Sequence, residues 1–197
     1  LSLSLNTNLT IALDVMGGDK GPLITISSAM MAISSYPNLH LILCGDESII
    51  LECLSSYNIS KQSLIDHKQL SVVATSQVVT MSDKPIVALR TKKDSSMRKA
   101  LDLVHDNHAQ ACVSAGNTGA LFSMAHFVLK NLPGVERPAL ISSLPTHDKN
   151  KHVFMLDLGA NVFCDSHVLY QFGVMGSVMA EQVDGIKKPR IALLNMG

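Results

Sequence analysis

No charge of either sign predominates in this chain. Sixteen Lys and Arg residues balance sixteen Asp and Glu over 197 residues. Proteins that hold nucleic acid carry a net basic footprint, so the balance speaks against that class while leaving room for a local basic patch. Nor does any stretch approach the roughly 18 apolar residues that a membrane-spanning helix needs. The opening Leu1 to Thr10 lacks a basic n-region, a long apolar run and a small-residue cleavage site, so no secretory signal is read there. The cysteines, Cys44, Cys53, Cys112 and Cys164, show no C-x-x-C spacing, which removes a zinc site and a disulfide framework as expectations. Cys44 and Cys112 sit inside apolar runs as small core residues, and the compartment implied is the reducing cytosol. The histidines, among them His40, His105, His108, His126, His147, His152 and His167, have no metal spacing. H-E-x-x-H, G-x-x-x-x-G-K-[ST], G-x-S-x-G and G-x-G-x-x-G are all missing. Zinc hydrolysis, P-loop nucleotide use, serine hydrolysis and ordinary dinucleotide binding thereby lose their main sequence support.

What is present is a folding composition, 47% hydrophobic and 16% charged, long enough for one substantial domain or part of a larger one. Short apolar runs alternate with longer amphipathic ones. Strands are read at Leu9 to Val15, Leu39 to Cys44, Leu70 to Ala74, Ala111 to Ser114, Ala139 to Leu144, Val153 to Leu156 and Ile191 to Asn195. Helices are read from Pro22 to about Ser34, from Glu47 to about Ser56, from the Ser95-Ser96 caps to about Asn107, from the Gly116–Gly119 turn to about Leu129, and from Asp165 to about Val183. Thr75 to Pro85 reads as a loop with a breaker at Pro85. Strand and helix alternation with continuous apolar strands predicts an α/β fold with a mainly parallel sheet covered on both faces. The expected organisation is a tail over 1–9 and a single α/β domain over 10–197, incomplete at its C-terminal end because the sequence stops where such a fold enters its next loop.

In open α/β sheets ligands lie beyond the carboxyl ends of the strands. Four segments leave a strand through glycine: Asp14 to Asp19, Ser114 to Gly119, Asp157 to Asn161, and Asn195 to Gly197. If the sheet is parallel, all four emerge on one side, and the helices that follow aim free N–H groups at an anion, phosphate above all. The bland alternative is that these glycines only make tight turns; their Asp, Asn and Thr neighbours favour a polar site. The basic run Arg90, Lys92, Lys93, Arg98 and Lys99 has three readings: a phosphate holder, a dock for an acidic protein surface, or a solvated helix face. Arg137, after Glu136, has a ligand, Glu136 or a neighbouring chain as its possible partners.

The strings ALDVMGGDKGP from Ala12, SSMRKAL from Ser95, QACVSAGNTGAL from Gln110, ERPAL from Glu136, LDLGANVFCDS from Leu156 and PRIALLNMG from Pro189 run in order along the chain. Together they resemble the bacterial phosphate acyltransferases, the PlsX family, from about residue 10 to the end. The resemblance implies transfer of a fatty acyl group from acyl carrier protein to inorganic phosphate, giving acyl phosphate for phospholipid synthesis. It implies no cofactor and no metal. It implies a homodimer in the cytoplasm or at the inner face of the membrane, working beside a membrane glycerol-3-phosphate acyltransferase. The fold implied is a three-layer α/β/α sandwich like that of isocitrate and isopropylmalate dehydrogenases and of phosphotransacetylases. Family chains continue well past Gly197.

An activated thioester requires only an aligned phosphate and donors for the tetrahedral oxyanion. The expected catalytic residues are Asn117, Asp14 and Asn161. Gly17, Gly18, Asp19, Ser96, Arg98, Gly116, Thr118, Gly119 and Arg137 are expected to bind phosphate or substrate. Three rivals stand beside this reading. One is a phosphotransacetylase-like enzyme using short acyl-CoA. Another is a metal- and NAD-dependent decarboxylating dehydrogenase, for which no aspartate pair at helical spacing is seen. The third is a non-catalytic scaffold that binds the carrier protein.

Overall fold

A strand buried on both faces needs apolar side chains at successive positions, and LTIALD supplies them. A computed structural model describes residues 8–148 and 151–195, and there Leu9–Asp14 forms β1. β2 (Leu39–Gly45) and β4 (Ala111–Ser114) flank β1, and β3 (Leu70–Ala74) lies beyond β2, giving the order β3-β2-β1-β4. Every pairing in this sheet is parallel, with Leu13 beside Leu43 on one side and Val113 on the other. Side chains alternate between the faces. Leu13, Leu41, Leu43 and Leu70 meet Ile26 and Ile33 of α1 (Gly21–Ser35) and Ile50 and Leu54 of α2 (Glu47–Ser55). Ala12, Ile42 and Cys44 turn the other way, toward Ala100 of α5 (Ser96–His105). Fully burying a side chain such as Leu43 contributes about 1.5–3 kcal/mol. Burial pushes the Cys44 thiol up to about 12 and the Cys112 thiol to about 11, as befits small core residues rather than reactive ones.

Polar caps set several of the helix starts. Asp46 accepts from the Ser48 and Ile49 amides at 2.9 and 3.2 Å to open α2, and Ser95 accepts from the Arg98 amide at 3.3 Å to open α5. Two short helices were not foreseen. α3 (Lys61–Ile65) is held by a reciprocal Ser60–Ser63 cap. α4 (Pro85–Thr91) begins at the proline read as a breaker, because proline fits the first turn, where its missing N–H has no intrahelical acceptor anyway. α6 (Thr118–Leu129) packs on α4 and α5 through Ala120, Met124 and Val128 against Ala88, Met97 and Leu101.

The backbone clusters into two compact units, Leu1–Lys130 and Asn131–Gly197, a division the single-domain reading of 10–197 does not draw. In the second unit, β5 (Ile141–Pro145) and β6 (His152–Leu156) pair antiparallel as a two-stranded sheet. α7 (Ser166–Asp184) opens on the Asp165 carboxylate, which accepts from the Val168 amide at 2.9 Å, and closes on Gly185 at φ +69°. The parallel expectation therefore holds for the first unit and not for β5 and β6. Residues 191–195 are irregular rather than the expected last strand; an apolar run becomes a strand only where a neighbour takes up its amides and carbonyls. Met196 and Gly197 of the fourth glycine segment lie outside the described residues. Among the described residues no helix is long and apolar enough to cross a membrane.

Candidate active site at the carboxyl edge of the sheet

β1 ends in a carboxylate shut away from water: Asp14 is 1% exposed. A buried ion is costly unless hydrogen-bonded. Asp14 and Ser114 are paired across β1 and β4, so the Ser114 hydroxyl donates to Asp14 Oδ2 at 2.6 Å. The same hydroxyl oxygen accepts from the Gly116 N–H at 3.1 Å. Asp14 Oδ1 is buried with no hydrogen-bond partner among the described residues.

Two glycine turns close over this pair. A Cβ on Gly17 would lie 2.5 Å from Asp14 Oδ2 and 3.0 Å from Gly116 N, and one on Gly116 would lie 2.9 Å from Met97 Cε. Gly18 adopts φ +97°, and a Cβ there would meet Ala115 at 3.2 Å. The β1–α1 and β4–α6 turns are thus in direct contact, and Asp14 lies beneath them. Asp19 continues the first turn and is exposed.

The second turn ends at the N-terminus of α6. Asn117 is its cap, Oδ1 accepting from the Ala120 amide at 3.0 Å. Its Nδ2 donates to the carbonyls of Met81 and Asp83, both at 3.0 Å, with Thr80 a longer third acceptor at 3.4 Å. The Asn117 side chain is therefore committed at both ends, and the Gly116 amide is committed to Ser114. Thr118 and Gly119 are exposed in the first turn, where amides have no intrahelical acceptor and the helix presents its positive end. Pro85 sits against Gly119, where a Cβ would come within 2.9 Å of its Cγ.

The loop that Asn117 grips is organised by Asp83. Its Oδ2 accepts from Lys92 Nζ and, at 2.7 Å, from the Thr80 amide, while Lys92 also donates to the Val78 carbonyl at 2.7 Å. The Lys92 hydrogen bond first, then the Thr80 amide, hold the Asp83 carboxyl below its usual 3.8. A depressed folded value means that this stabilisation is present above pH 3.8 and is lost as the pH falls through the folded value. Urea midpoints measured from pH 5 downward should fall below pH 4, and Asp83→Asn should flatten part of that fall; an unchanged slope would count against the loop anchor.

The basic run separates on the structure. Arg98 Nε donates to Asp102 at 2.8 Å, with its guanidinium carbon 5.9 Å from the centre of the Phe127 ring. Lys99 pairs with Asp94 at 3.5 Å and Lys92 with Asp83, whereas Arg90 and Lys93 are exposed. Ser96 is 1% exposed at the first position of α5, its amide donating to the Gln77 carbonyl at 3.3 Å.

In the second unit, Asp157 organises the turn after β6. Its two oxygens accept from the amides of Ala160, Asn161 and Leu140 at 3.2, 2.8 and 3.3 Å, and from Asn161 Nδ2 at 3.0 Å. Burial pushes this carboxyl up, but the hydrogen bonds from Asn161, Leu140 and Ala160 outweigh it and hold it below its usual value. Asn161 Nδ2 also donates to the Pro138 carbonyl at 2.9 Å. Arg137 is exposed and donates to the Phe163 carbonyl at 3.3 Å, while Glu136 takes His167 at 3.4 Å instead.

Ser114 and Asp157 head two of the glycine segments and Asp83 lies in the 75–85 loop, but none is among the expected site residues. Ser114 and Asp157 stand where a strand ends and a glycine follows within two residues, a signal that could have marked them. Asp83 has no such local mark.

The chain is 85% identical over 195 residues to a phosphate acyltransferase of Colwellia psychrerythraea, covering 99% of this chain and 56% of that protein. It is 57% identical over 188 residues to a phosphate acyltransferase of Aeromonas salmonicida, covering 95% and 54%. The chain thus spans about half the length of these curated relatives. Among solved structures, the EutD phosphotransacetylase from Staphylococcus aureus shares the fold, with a TM-score of 0.59 at 18% identity over 88% of this chain and 53% of that one. A family model described as "Fatty acid synthesis protein" matches residues 9–197. Because that match begins at β1 and takes in both stacked glycine turns, the chain belongs to the fatty acid synthesis protein family.

Proposed function

We propose that the protein of which this chain is part transfers a fatty acyl group from an acyl carrier protein thioester to inorganic phosphate, giving acyl phosphate for phospholipid synthesis. The observation that carries this reading is the contact of the two glycine turns at the start of α6, over the buried Asp14–Ser114 pair, in a chain of this family. A phosphate oxygen attacks the thioester carbonyl carbon, the C–O bond forms, and the oxyanion collapses with loss of the C–S bond. The proton leaving hydrogen phosphate ends on the departing thiol, so neither nucleotide nor external oxidant enters the balance. The Thr118 and Gly119 amides, with the positive end of α6, hold the phosphate or the oxyanion.

Gly17, Gly18 and Gly116 let the turns approach, and Asn117 fixes the cap. Asp14 acts from beneath the turns as an orienting group, and Asp19 is the exposed carboxylate assigned to accept a proton. Arg98, whose Nε is bonded to Asp102, is assigned to contribute charge, with Ser96 at the start of the same helix. Within the second unit, Asn161 is assigned as an orienting group and Arg137 as a substrate-binding charge. The wider proposal includes a three-layer α/β/α domain over 10–197 of dehydrogenase-like type and a homodimer in the cytoplasm or at the inner membrane face. A membrane glycerol-3-phosphate acyltransferase would be the consumer of the product. Exposed Arg90 and Lys93 assign the carrier's acidic surface to the α4 side.

The test is phosphate-dependent release of free carrier from palmitoyl-acyl carrier protein by the full-length protein. Turnover should require no added nucleotide and should weaken as ionic strength rises. Turnover of short acyl-CoA in place of the carrier substrate would move the reading to a phosphotransacetylase-like enzyme, a reading favoured by the fold shared with EutD. Silence with both donors would leave a carrier-binding scaffold.

A further inference from the structure

A serine hydroxyl has one hydrogen to give and lone pairs to receive. At Ser114 the hydrogen goes to Asp14 Oδ2 at 2.6 Å and a lone pair takes the Gly116 N–H at 3.1 Å. The bond to the Asp14 carboxyl group is short, so it fixes the rotor. With the rotor fixed, the lone pairs are left to receive the Gly116 N–H. Gly116 opens the turn into α6, three residues before Gly119, and the Asn117 cap closes it. The chain of contacts thus runs from a carboxylate that is 1% exposed, through one hydroxyl, to the amides at the start of a twelve-residue helix. Ser114 also occupies one carboxylate oxygen, leaving Asp14 Oδ1 as a buried atom without a partner among the described residues.

We propose that Ser114 is a positioning residue for phosphate: it ties the β4–α6 turn to Asp14 and so fixes where the first-turn amides of α6 point. The inference rests on the acyl-transfer reading above, in which those amides hold phosphate. Its signature is selective. Loss of the tie should affect the phosphate half of the reaction, because the carrier is assigned to the α4 side. A merely structural serine would lower stability and alter both substrates alike.

The experiment uses the full-length protein with three variants, Ser114→Ala, Ser114→Cys and Ser114→Thr. Cysteine keeps the shape with a weak donor, so it reports even if alanine does not fold. Threonine keeps the hydroxyl. Inorganic phosphate is titrated in the carrier-release assay, and phosphate binding is read separately by phosphorus NMR. Ser114→Ala and Ser114→Cys should each raise the KM for phosphate about tenfold or more, leave the KM for acyl carrier protein within about twofold, and weaken phosphate binding in parallel. Ser114→Thr should restore most of the loss. An unchanged phosphate KM in the cysteine variant, an equal rise in both KM values, or threonine no better than cysteine would each overturn the inference while acyl transfer stands. A wild-type protein that neither turns over nor binds phosphate would remove the acyl-transfer reading and this inference together.

Discussion

Gly17→Ala is expected to lower the stability of the folded protein by about 3 kcal/mol and to reduce the proposed acyl transfer about 100-fold or more. The cause is steric and lies outside the residue's own backbone. An added methyl would sit 2.5 Å from Asp14 Oδ2, 3.0 Å from Gly116 N and 3.1 Å from Asp14 Cγ. The carboxylate cannot swing away cheaply, because it is buried and holds the Ser114 hydroxyl. Something must therefore shift: the Asp14 rotamer, which would break the bond to Ser114, or the β4–α6 turn, which would move the start of α6. Overpacking a tight interior costs about 1–3 kcal/mol before any hydrogen bond is lost. Gly21→Ala is the natural control. Gly21 adopts φ +64° with nothing within 4 Å of an added Cβ, so its substitution meets only backbone strain, about 1 kcal/mol. Urea midpoints of the two variants, with carrier-release rates alongside, separate the mechanisms. If Gly17→Ala costs no more than Gly21→Ala, the two turns are not seated on each other as described.

The contrast between these glycines indicates how much of the site can be read without coordinates. That Gly17 and Gly116 follow strands and precede helices is visible in the string of letters, because apolar runs and caps are local features. That one presses on the other, 99 positions away, depends on β4 joining the sheet beside β1 rather than beside β3. Strand order is decided by packing, and no local pattern encodes it. The same distinction explains the strands. Leu9 to Asp14 and Leu39 to Gly45 announce themselves through apolar residues on both faces, and both were found to within a residue or two. β5 and β6 were also found, but their antiparallel pairing was not drawn, although the short 146–151 connection leaves no room for a crossover. α4 escapes a local reading for a different reason: Pro85 reads as a breaker, although a helix start accommodates proline equally well. Arg98 and the other basic residues were legible as a cluster, but the partition between paired and exposed members was not. Asp102 and Asp94 neutralise two of them, Arg98 and Lys99.

Asn117 shows the limit most sharply, and Asn117→Asp is expected to destabilise the protein by about 2–3 kcal/mol. By local rules the change should be harmless. Aspartate caps helices as well as asparagine does, and a negative charge at a helix N-terminus is favourable. A residue that did no more than cap α6 would therefore yield a variant as stable as the wild type, or slightly more so. The structure sets the opposite sign. Nδ2 donates to the Met81 and Asp83 carbonyls at 3.0 Å, and aspartate would replace that donor with an oxygen facing two more oxygens. Two hydrogen bonds are lost and like dipoles are opposed in a partly buried spot. Asn117→Ala loses the cap as well, about 1 kcal/mol, but creates no repulsion. The expected order is therefore wild type, then alanine and aspartate together, with aspartate no better than alanine. Phosphate binding should fall further in the aspartate variant, whose added charge stands beside the amides assigned to the anion. Chemical denaturation of the three proteins reads the first expectation, and phosphorus NMR titration reads the second. An aspartate variant as stable as the wild type would reduce Asn117 to a cap and free the 80–83 loop from the start of α6.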